Sequence, residues 1–135
     1  MPSAFSLNQM TSNKGTAFQA ASTSVTGLRE TKVAPTISNG TLIIDLAQGN
    51  VFSVALNANI TTLSFTNIPS NSAIGVTLIF TMDGTARTIT WPSAVRWSGG
   101  TAPTLTSTSN KVDAFVLLTF DQGVNWYAFN SGQNL

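Results

Sequence analysis

Residues 74 to 82 read Ile-Gly-Val-Thr-Leu-Ile-Phe-Thr-Met, and this stretch decides the fold class. Successive strand side chains point to opposite faces. An extended chain here therefore puts Ile74, Val76, Leu78, Phe80 and Met82 on one side and Gly75, Thr77 and Thr81 on the other. Short apolar runs of the same kind lie on both sides of it, near 41–46, 51–56, 60–66, 86–91, 103–107, 112–120 and 124–129. Turn signals separate them: Asn39-Gly40, Gln48-Gly49-Asn50, Asn57-Ala58-Asn59, Pro69-Ser70-Asn71-Ser72, Asp83-Gly84, Gly99-Gly100, Ser109-Asn110 and Gln122-Gly123. No long helical pattern occurs. The pattern predicts an all-β domain over residues 39–135, an antiparallel β-sandwich, jelly-roll-like, with about eight strands.

Within this domain Asp83-Gly84 predicts a tight hairpin, since a type I′ turn needs positive φ at two adjacent positions and Asp-Gly supplies it. The runs before and after it should then pair antiparallel, up to Trp91-Pro92, where proline ends the ladder. In the run from 112 to 120, Val112, Ala114, Val116, Leu118 and Phe120 are expected to face the core. The opposite side carries Asp113, Phe115, Leu117 and Thr119, which is too apolar for open water. Ile43, between Leu42 and Ile44, raises the same question. Ile43, Phe115 and Leu117 are therefore expected at a contact between subunits.

Ahead of the domain, residues 1–38 differ in kind. Isolated apolar residues (Phe5, Leu7, Met10, Phe18, Val25, Leu28) are spaced by Ser, Thr, Ala, Asn and Gln without a period. This reads as an extended N-terminal arm that a partner or a neighbouring subunit would order, because fixing each residue costs roughly 1–2 kcal/mol. A free terminus is the other reading.

The 135-residue chain has six Lys and Arg, five Asp and Glu, no His and no Cys. Charged residues make up 8%, far below the ~25% of an average domain. In their place stand 20 Thr, 15 Ser and 12 Asn. A net charge of +1 with scattered cations excludes broad nucleic-acid affinity. No apolar run is long enough to cross a membrane as a helix, and residues 1–10 lack the marks of a signal peptide, so a soluble, unexported chain is expected.

Without His or Cys, the common catalytic triads and imidazole or thiolate metal sites are excluded. Paired carboxylates could still serve a glycosidase, and the acids are Glu30, Asp45, Asp83, Asp113 and Asp121. Asp83 and Asp121 stand at turns, where Asp bonds nearby amides, and Asp45 and Asp113 could meet Arg or Lys at a subunit contact. No run of alternating Asp would hold calcium, and no Gly-rich loop would cradle phosphate. Neither a cofactor, a metal nor an enzymatic role is expected. Trp91, Trp97, Trp126 and Tyr127 could stack on sugars. Trp91 and Trp126 share strand faces with apolar neighbours and read as core, which leaves Trp97 as the candidate exposed ring.

From about Asn39 to Asn130 the chain resembles a β-sandwich module of bacteriophage virion proteins. The likeness rests on Gly40-Thr-Leu-Ile-Ile-Asp-Leu46, Asn59-Ile-Thr-Thr-Leu-Ser-Phe65, Gly75-Val-Thr-Leu-Ile-Phe80, Arg87-Thr-Ile-Thr-Trp-Pro92, Trp97-Ser-Gly-Gly-Thr-Ala-Pro-Thr-Leu105 and Asn125-Trp-Tyr-Ala-Phe129. One such module plus an arm looks like a capsid decoration (cement) protein. That resemblance implies a homotrimer on the capsid exterior of the virion, bound to the major capsid protein, with no nucleic-acid or membrane partner. Phe5, Leu7, Met10, Phe18 and Leu28 of the arm would then touch the capsid. The alternative is a tail-fibre or receptor-binding module whose Trp97 contacts host glycans, and a small tail or neck subunit is a third reading.

Overall fold

A computed structural model describes residue 27 and residues 29–135. The expected arm contacts Phe5, Leu7, Met10, Phe18 and Leu28 lie outside the described residues. The described chain is all-β. Its strands are β1 (Lys32–Val33), β2 (Thr41–Asp45), β3 (Val51–Leu56), β4 (Thr62–Thr66), β5 (Ile74–Met82), β6 (Val95–Trp97), β7 (Val112–Thr119) and β8 (Trp126–Gly132), with one 3-10 turn at Ser98–Gly100. The large sheet holds six strands in the order β1-β3-β5-β7-β8-β6, and β2 and β4 form a second, small sheet.

The sheet is mixed, which corrects the antiparallel expectation. β1 with β3, β3 with β5, β6 with β8 and β2 with β4 pair parallel, and only β5 with β7 and β7 with β8 pair antiparallel. From β1 to β5 the chain crosses between the sheets at every step, so that consecutive strands do not pair. The small sheet continues past β4: Ile60 bridges Ile89 in parallel, its N–H donating to Thr88 O (2.9 Å) and its carbonyl accepting from Thr90 N–H (2.8 Å). Residues 32–90 thus form successive turns of a flattened coil, each laid beside the last.

This winding explains why the Asp83-Gly84 hairpin does not form. Gly84 has φ +93°, but Asp83 is not in the left-handed region that a type I′ turn demands. Asp83 instead accepts from Thr85 N–H (3.0 Å) and pairs with Arg87 (2.6 Å), sending the chain across to the small sheet. The tight turn sits earlier. Asn39 (φ +48°) and Gly40 (φ +75°) link Ser38 to Thr41 through two reciprocal backbone bonds of 2.9 and 2.8 Å. A Cβ on Gly40 would stand 2.7 Å from Thr61 Oγ1, so this glycine serves both the turn and the approach of β4.

One core lies between the sheets. Leu42, Ile44, Ile60 and Leu63 from the small-sheet side meet Phe52, Val54, Leu56, Val76, Leu78, Phe80, Met82, Phe115, Leu117, Trp126 and Ala128 from the large sheet. Phe65 of β4 stacks on Trp126 of β8 at 4.5 Å, joining the layers at one end. The inward face of β5 is the one its alternation predicts. For β7 the faces are exchanged: Asp113, Phe115, Leu117 and Thr119 are buried, and Leu118 and Phe120 are exposed. Phe115 and Leu117 therefore belong to the chain's own core, and their assignment to a subunit contact is withdrawn.

The reason is visible at the two ends of that face. Thr119 Oγ1 accepts from Gly123 N–H (2.9 Å) and donates to Asp121 (3.0 Å), so its hydroxyl is satisfied without water. Asp113 accepts from Thr106 N–H (2.8 Å), Asn134 N–H (3.0 Å) and Gln133 Nε2 (3.0 Å). Two polar residues that resemble a solvent face are hydrogen-bonded latches at the margins of a core face.

Candidate interaction surface

Exchanging the faces of β7 turns a row of apolar residues outward. Val116 stands beside Phe129 of β8, and Leu118 beside Tyr127. On the other side Thr77 of β5 adjoins Val116, Gly75 adjoins Leu118, Ile79 adjoins Ala114 and Thr81 adjoins Val112. β3 extends these rows with Val51, Ser53 and Ala55. The outer face of the large sheet is thus uncharged from β3 to β8. Its charges stand at the two edge strands: Lys32 on β1, opposite Val51, and Arg96 on β6, opposite Tyr127.

The apolar side chains are largest over β7 and β8. Phe120 is 66% exposed, Phe129 51%, Leu118 42% and Tyr127 37%. Phe120 and Tyr127 stack nearly parallel, 5.3 Å between ring centres and 9° between planes. Leu118 leans over Gly75, where an added Cβ would lie 3.4 Å from its Cδ2. Scattered single apolar residues are ordinary on a protein surface, but a contiguous aromatic and aliphatic patch marks a place where something binds.

Arg96 borders the patch in a fixed pose. Its Nε donates to Asn125 Oδ1 (2.6 Å), and Asp121 holds Asn125 through the backbone N–H (2.9 Å) and Nδ2 (2.8 Å). Those donors, Asn125 first, hold the Asp121 carboxyl below the usual range.

The other site residues expected from sequence fall elsewhere. Trp97 is half-buried, packed edge-on against Trp91 (5.0 Å) and Phe115 (5.4 Å), and its Nε1 is buried without a partner. Its ring is committed to packing, which corrects its reading as the exposed aromatic; among the described residues the exposed rings are Phe120, Tyr127 and Phe129. Trp97 also lines a hollow of about 390 Å³ with Ser98, Thr101, Pro103, Ala128, Phe129 and Asn130, a lining without charge. Ile43 is outward as expected, 51% exposed on the far side of the small sheet.

The acids do not converge. Asp45 accepts from Asn67 (2.7 Å), Gln48 (3.0 Å) and Ala47 N–H (3.0 Å), which ties the ends of β2 and β4 and lowers its pKa. Among the described residues of this chain it meets no Arg or Lys. Asp83 is lowered by Arg87 first and by Thr85 N–H. Burial pushes the Asp113 carboxyl up, but the Thr106, Gln133 and Asn134 donors outweigh it and hold it below the usual range. Among the described residues no three acids gather where a metal ion could sit.

The outward role of Phe120, Tyr127 and Phe129 is the part of the surface that sequence reasoning missed. The available signal was that both faces of 112–120 are apolar, so one must be covered from outside. Comparison with protein-family models, with curated proteins and with solved structures returns no match.

Proposed function

We propose that this chain is a structural protein of a bacteriophage virion, a capsid decoration protein that binds the major capsid protein and stabilises the shell without catalysis. The observation that carries the reading is the outer face of the large sheet, uncharged from β3 to β8 and presenting Val116, Leu118, Phe120, Tyr127 and Phe129. A protein that works by covering and being covered needs apolar area and few ions to desolvate. The two sheets around one core are read as a variant of the sandwich module whose sequence motifs the chain resembles, and a homotrimer with its arm laid along the capsid follows from that resemblance. Four of the acids hold turns and chain ends together, which is a structural use of carboxylates.

Such a protein stabilises a shell by binding its assembled form, and the gain grows with occupancy. The test is co-sedimentation with shells assembled from the major capsid protein of the same phage genome. The full chain should pellet with the shells. A variant lacking residues 2–26, which spares Glu30 and its bond to Asn50, should stay folded but bind far less. Failure of the full chain to bind would end the decoration reading, and full binding by the truncated chain would end the arm's part in it.

A receptor-binding role is favoured by one observation: the stacked Phe120 and Tyr127 beside the fixed Arg96 offer ring faces and a cation to a sugar. Glycan binding that Tyr127→Ala abolishes would establish it.

A further inference from the structure

We propose that the outer face over β7 and β8 is a contact between copies of this chain, with Val116, Leu118, Phe120, Tyr127 and Phe129 of one copy meeting the same face of a second. Charge is the first argument. From β3 to β8 this face carries none, so over these four strands two copies laid together bury no ion and oppose no like charges, and Lys32 and Arg96 stand beyond them on the edge strands. A strongly charged partner would lose hydration here and gain no counter-charge.

Area is the second argument. The four uncharged strands, each about 4.8 Å wide, cover roughly 19 Å and run for roughly 25 Å, which gives about 480 Å² for each copy. Two such faces total about 950 Å², the size of a weak, reversible contact. Flatness is the third. A sheet face without long charged side chains packs on another sheet about 10 Å away, as the layers of a protein interior do. Phe120, Phe129 and Tyr127 stand where the anchors of such a contact belong, since aromatic side chains dominate the core of interfaces.

The inference does not depend on the decoration reading, and the two fail separately. Sedimentation of the full chain from micromolar concentration upward should show reversible pairing, of single chains or of the trimers that the resemblance implies, because a face that meets its own copy closes on a pair. Leu118→Lys and Phe129→Lys place a charge in the contact and should weaken association roughly tenfold or more. Both positions are exposed, so far-UV circular dichroism and the monomer's melting should be unchanged. Ile43→Lys, on the outside of the other sheet, should associate like the parent chain, which would also remove Ile43 from the subunit contact expected of it. A full chain that stays monomeric, or Lys variants that associate normally, would overturn the proposal. If the monomeric chain binds shells and Leu118→Lys does not, the occupant is the capsid protein: self-association falls and decoration stands. If the chain self-associates through this face but never binds shells, the opposite holds.

Discussion

Asp113 shows how a single residue can be misread and then explained. An Asp in an apolar run marks a solvent face in most strands, because burying a carboxylate without donors is costly. Here three donors from two distant segments converge on it: Thr106 from the loop before β7, and Gln133 and Asn134 from the chain's end. Nothing in the local sequence announces those partners. Asp113→Asn keeps the shape but sets an amide N–H against a backbone N–H, and should cost about 1–3 kcal/mol in chemical denaturation. Because the folded pKa of Asp113 is depressed, its contribution is present above the ordinary carboxylate value, about 4, and is lost as pH falls through the lower folded value. The stability of Asp113→Asn should therefore fall less steeply with acid than that of the parent. An equal acid slope in the two proteins would show that the carboxylate is not held as described.

Among the elements, β5 was legible in its bounds and its buried face but not in its partners, and β7 only in its position. Along β5 apolar and small or polar residues alternate except at Ile79, and the buried face is the one this pattern implies. β7 is apolar on both sides, so alternation located the strand but not its orientation. Its position between β5 and β8 fixes which face meets the core. Two contrasting truncations test this assignment by thermal or urea unfolding. Phe115→Ala should cost about 3–5 kcal/mol, as for a large side chain removed from a close-packed core, whereas Phe120→Ala in the monomer should stay within about 0.5 kcal/mol. The reverse order would restore the exchanged faces. Pairing was the least legible feature: β1 and β6 are too short to show a pattern, and parallel partners come from residues about two dozen positions apart with no turn to announce them. The run near 86–91 supplies only the bridge at Ile89, and the run near 103–107 forms no strand. Gly49 belongs to the same topology. A Cβ there would come within 2.5 Å of the Thr31 carbonyl, so the loop after β2 passes against the entry to β1 only because it has no side chain.

At the scale of the molecule, scarcity of charge is a property of one surface as well as of the composition. Only one ion pair, Asp83 with Arg87, occurs among the described residues, and it lies in the crossover after β5 rather than on the outer sheet face. Contacts made by such a face lose little to screening by salt. That suits a building block whose surface is covered in place, and it accounts for a sequence rich in Thr and Ser with few acids and bases. The central claim concerns where this chain resides and in what number. Quantitative mass spectrometry of purified virions, referenced to the major capsid protein, measures that number directly. The decoration reading predicts copies in the hundreds per particle, as a shell covered by repeated subunits requires. A number of a few to a few tens would place the chain in the tail, and its absence from the particle would contradict a structural role altogether.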